Sequence, residues 1–83
     1  MTNYHIKLRT AERIWETLAV EHDDLTGLRI EVAQFVGELL KDHAQDVWKD
    51  QDWRVDVTDD GGTILYVMHI MATDTAASAL LAR

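Results

Sequence analysis

Trp53-Arg-Val-Asp-Val-Thr-Asp-Asp-Gly-Gly-Thr-Ile-Leu-Tyr-Val-Met-His-Ile-Met71 decides how this chain folds. Two runs of strand-forming residues flank Asp59-Asp60-Gly61-Gly62, and aspartate followed by glycine supplies the positive φ angles that a tight hairpin turn needs. In the first run Trp53, Val55 and Val57 share one face while Arg54, Asp56 and Thr58 share the other, so this strand reads as half exposed. The second run differs. Ile64, Tyr66, Met68 and Ile70 fall on one face and Leu65, Val67, His69 and Met71 on the other, so both faces ask for cover. A helix from the same chain can cover only one. Either the tail folds back over the second face or another subunit does.

Working outward, Tyr4, Ile6 and Leu8 alternate with His5, Lys7 and Arg9, the period of an edge-type strand. Residues 10–22 carry both signals. Ile14 and Leu18 sit four apart as on a helix, whereas Ile14, Glu16, Leu18 and Val20 sit two apart as on a strand. A strand is favoured, because strand 4–9 needs a partner and a turn near Thr10-Ala11-Glu12 would supply one. Asp23-Asp24 then offers a helix N-cap. Leu25, Leu28, Val32, Phe35, Val36, Leu39, Leu40, His43 and Val47 follow at helical spacing, which predicts one long helix over about 24–47. Gly37 inside it suggests a close approach by another element. The expected fold is α+β, ββαββ, with a four-stranded antiparallel sheet packed on that helix. The tail 72–83 has the propensity for a short helix starting at Asp74 or Thr75 and the composition of a frayed terminus.

With 83 residues the chain is one small domain, with an expected core over about 4–71. A chain this short buries only about 60–65% of its unfolded surface, and association with another chain is the usual aid. It has no cysteine, hence no disulfide staple and no thiolate metal site. No segment approaches the ~20 apolar residues that span a bilayer, and the N-terminus lacks a signal-peptide core. The expectation is a cytoplasmic protein without a membrane role. The net charge of −7 is uneven. Lys7, Arg9 and Arg13 make the first thirteen residues basic, and the remainder is strongly acidic. Such a surface disfavours general nucleic-acid binding.

In order and spacing, Tyr4-His-Ile-Lys-Leu8, Asp24-Leu25, Glu31, Glu38-Leu-Leu40 and Trp53-Arg-Val-Asp-Val-Thr-Asp59 with Gly62 resemble a family of short single-domain bacterial proteins of unknown function. The resemblance spans about 4–71 and implies the ββαββ order. Around Thr17-Leu18-Ala19 the chain departs from the acidic-glycine turn of that family. It implies no catalytic residue.

The remaining candidates read more simply as structure. Asp56-x-Thr58-x-Asp60-Gly61 imitates the start of a calcium loop, but Val67 stands where the twelfth-position glutamate belongs. His43 with Asp42 and Asp46 falls short of a full ligand set. His22 lies beside carboxylates that serve as helix caps, and His69 reads as a satisfied strand histidine. No hydroxyl sits in a nucleophile elbow, so no catalytic residue, metal or cofactor is expected and the chain is not expected to be an enzyme. The leading expectation is an interaction module that self-associates as a homodimer through strand 63–71, with Ile64, Tyr66, Met68 and Ile70 as its interface. The alternative is a small regulatory or antitoxin-like protein, binding a protein partner or nucleic acid through a basic strip of Lys7, Arg9 and Arg13.

Overall fold

A computed structural model describes residues 2–11 and 14–81, with the side chains of Trp15, Glu16 and Ala79 outside the described set. Strands β1 (Thr2–Arg9) and β2 (Ile14–His22) form the first hairpin, helices α1 (Leu25–Asp42) and α2 (Ala44–Asp50) follow, and β3 (Asp52–Asp59) and β4 (Ile64–Met71) form the second. A last helix, α3, spans Ala76–Leu81. The four strands make one antiparallel sheet in the order β2-β1-β3-β4. The two hairpins therefore join along β1 and β3, and β2 and β4 become the edges.

Alternation decides which side chains meet the helix. Ile6 and Leu8 register with Val57 and Val55, Tyr4 and Trp53 extend the same row at its two ends, and all six are buried with Leu28, Val32, Val36 and Leu39 of α1 and Val47 of α2. Residues 14–22 are a strand because the Tyr4–Val20 and Ile6–Leu18 pairings extend this same row. At the start of α1 the Asp24 carboxylate accepts from the Gly27 N–H at 2.6 Å, as an N-cap should. Gly27 is also where the chain comes close to itself, since a Cβ there would lie 2.9 Å from Asp24 Oδ1 and 3.1 Å from His22 Nδ1. Gly37, by contrast, faces open space, which corrects the expectation of a close approach there.

The single long helix expected over 24–47 is in fact two. His43, at φ −125° and ψ 40°, leaves the helical region, and its N–H closes α1 on the Leu39 carbonyl at 2.8 Å. Redirected by this break, α2 buries Val47 and leaves Trp48 60% exposed. Gln51 then ends α2 in the left-handed region at φ 62°. Trp53 is fully buried at the start of β3 and donates its indole N–H to Asp50 at 3.1 Å.

The hairpin turn forms at Asp59–Thr63, but the positive φ falls on Gly62 and not on the Asp60-Gly61 pair that announced it. Gly62 takes φ +85°, and Asp59 accepts from the Thr63 N–H through its side chain and from the Gly62 N–H through its carbonyl. The carboxylates of the calcium-like stretch are thus engaged in the fold: Asp59 in the turn, Asp60 with His5 at 3.1 Å, and Asp56 with two arginines. The described part of the tail leaves its leucines open. Thr75 accepts from the Ser78 N–H to start α3, but Leu80 and Leu81 stay 67% and 85% exposed. A radius of gyration of 15.0 Å, against about 12 Å for a compact chain of this length, agrees with this open shape.

Candidate functional site

The sheet has one face under α1 and α2 and one without them. Tyr66, Met68 and Ile70 register with Val57, Val55 and Trp53, so they turn to the helix side and are half-buried against the core. The Arg29 guanidinium lies 5.7 Å from the Tyr66 ring centre, a cation–π contact that ties α1 to the edge. Ile64 does not join this row. A register shift between Val57 and Thr58 pairs it with Thr58 and leaves it 49% exposed. The face beyond the helices is formed on β4 by Val67, His69 and Met71, which register with Asp56, Arg54 and Asp52. Val67 is 48% and Met71 68% exposed.

The backbone of β4 is as open as its side chains. Ala72 donates to the Gln51 carbonyl at 3.0 Å, marking a hydrogen-bonded pair one step beyond the strand. Antiparallel alternation then directs the N–H and C=O groups of Ile70, Met68 and Tyr66 toward β3. Those of Val67, His69 and Met71 point out along the free edge. Ile64–Met71 contains no Asp, Glu, Lys or Arg, the residues with which sheet edges are usually guarded.

The basic strip occupies the middle of the open face. His5, Lys7 and Arg9 project there from β1, and Arg54, which the sequence placed only on a polar strand face, joins them from β3. Arg13 lies outside the described residues. Arg9 Nη2 and Arg54 Nε each lie 2.8 Å from a different oxygen of Asp56, which is 4% exposed. The expectation that Asp56 and Thr58 would be exposed is corrected: both are buried, although α1 and α2 pack on the other face. Each histidine stands beside a carboxylate: His5 by Asp60, His22 by Glu31, His43 by Asp46 and His69 by Asp52. Among the described residues no three His, Cys, Asp or Glu side chains converge as a metal site would need. Among the described residues no helix is long and apolar enough to cross a membrane.

A family model described as a domain of unknown function, DUF6894, matches residues 3–72, which take in both hairpins and the helices between them. The chain belongs to this family. Comparison with curated proteins and with solved structures finds no significant match. Within this DUF6894 domain the match ends one residue after β4, so the ββαββ body is the family unit and α3 lies outside it.

Proposed function

We propose that this chain is a non-catalytic interaction module whose β4 pairs edge to edge with β4 of a second copy. The observation that carries this reading is the uncharged, unpaired and doubly apolar β4 edge. Each copy carries a net charge of −7, so two copies repel over most of their surface and meet at lowest cost along a stretch without formal charge. A two-fold axis perpendicular to the sheet makes the pairing antiparallel and self-complementary. It also sets both copies of α1 on the same side of one continuous sheet. Tyr66, Met68 and Ile70, half-buried in one copy, then gain cover from the helix of the other.

Size-exclusion chromatography with light scattering tests this directly. The wild-type chain is expected to be a dimer. Val67→Pro removes an outward N–H and leaves the ladder to β3 intact, as edge strands tolerate. It deletes two intermolecular hydrogen bonds per dimer and is expected to weaken association by about 10- to 100-fold. Ala19→Pro, whose N–H points out from the opposite edge by the same alternation, is expected to leave the dimer alone. A monomeric wild type, or equal loss in both variants, would sink the proposal.

A further inference from the structure

Asp56 is buried on a face that α1 and α2 do not cover, and its cover comes from Arg9 and Arg54. We propose that this arginine pair forms a binding site for a small oxyanion, a phosphate or carboxylate group, seated between Arg9, Arg54 and His69. Each oxygen of Asp56 holds one guanidinium, so both forks are fixed in place without being used up. Arg54 engages through Nε and keeps both terminal amino groups; Arg9 engages through Nη2 and keeps Nε and Nη1. Among the described residues these remaining donors have no acidic partner, and the two side chains are 36% and 43% exposed. They line an open recess of about 390 Å³ with Thr10, Ala11, Asp52 and His69. That volume is at the small end of the range for small-molecule sites.

The electrostatics select the size of the anion. Asp56 and Asp52, the latter 2.8 Å from His69 Nε2, together balance two of the three charges of Arg9, Arg54 and Lys7. Lys7 registers directly with Asp56 and makes no ion pair among the described residues. A locally cationic patch therefore stands on a chain of net charge −7. A long polyanion would feel the acidic remainder of the surface, whereas a single phosphate or carboxylate feels mainly the two forks. Bidentate hydrogen bonding to guanidinium groups is the geometry that both anions share.

The experiment is an NMR titration of the amide and arginine Nε–H resonances at low ionic strength, with inorganic phosphate in one arm and succinate in the other. Saturable shifts at Thr10, Arg54 and His69 are expected in at least one arm. Phosphate alone would identify a phosphate-bearing ligand, succinate alone a carboxylate, and both a general oxyanion seat. Arg54→Gln is expected to weaken binding about tenfold or more. Arg54→Lys, which keeps the charge without the fork and guards against a folding defect, is expected to weaken it in the same direction. Arg29→Gln removes an equal charge from the helix side and is expected to leave the anion titration unchanged, whatever it does to the Tyr66 contact. Absence of saturation in both arms, equal loss in Arg29→Gln and Arg54→Gln, or binding of DNA without either small anion would overturn the site. It stands apart from pairing at β4, so the same shifts are expected in the Val67→Pro variant.

Discussion

The two edges of this sheet differ in how they are guarded. On β2 the open face carries Thr17, Ala19 and Glu21, and the strand end is tied to α1 by His22 and Glu31 at 2.5 Å. On β4 the matching positions carry Val67, His69 and Met71, and eight consecutive residues hold no formal charge. An edge with charge and a side-chain tie to a helix resists further pairing, and an edge without charge invites it. One sheet thus ends on one side and is left able to continue on the other, which is what a closed two-fold assembly needs. Two open edges would propagate into filaments.

The severest way to break this comparison is to remove what holds β4 in place. Trp53 pairs across to Ile70, is fully buried and anchors its indole to Asp50. Trp53→Ala is expected to cost about 3–5 kcal/mol. That approaches the whole stability of a domain this size, so circular dichroism should show a largely unfolded chain at low concentration. A variant that melts within a few degrees of wild type would show that the core does not rest on this residue.

A milder change sharpens the contrast by making β2 resemble β4. Thr17→Val with Glu21→Val removes the acid and adds apolar surface on the open face of the first edge. Light scattering is expected to show species that grow with concentration in place of a discrete dimer. If the double variant keeps the wild-type mass, charge on β2 is not what stops the sheet.

Much of this was legible in the sequence because alternation and turn chemistry are local. Asp59-Asp60-Gly61-Gly62 announced the second hairpin, and Ile14, Leu18 and Val20 kept the period of a strand where propensity leaned to helix. Three features were not legible. The break at His43 falls inside a run whose helical spacing continues to Val47, with no glycine or proline to mark it. The register shift opposite Thr58 moves Ile64 out of the row of Tyr66, Met68 and Ile70. The burial of Asp56 depends on Arg9, forty-seven positions earlier, and only the β1–β3 register brings them together. Local pattern reveals which elements form; the free face and the arginine pair depend on register between distant elements.

Register is also where the smallest effect becomes informative. A slip of one residue in β4 would send Val67 and Met71 under the helix and Tyr66 and Met68 to the open face. The turn guards against this, and Gly62 at φ +85° is its one positive-φ residue. Gly62→Ala forces a side chain into that region at a cost of about 1–2 kcal/mol. For a domain of this size each kcal/mol lowers Tm by about 4–8 °C. Gly61→Ala is the matched control, because a Cβ there meets only Asp59 Oδ1 at 3.4 Å, an ordinary contact, and its φ is not in the positive region. Its Tm is expected to stay close to wild type. The dimerisation constant separates two outcomes for Gly62→Ala. An unchanged constant with a lower Tm means that the turn contributes stability while the sheet itself holds the register. A lost dimer with native-like secondary structure means that the turn sets which face of β4 meets the helix, and with it the character of the edge.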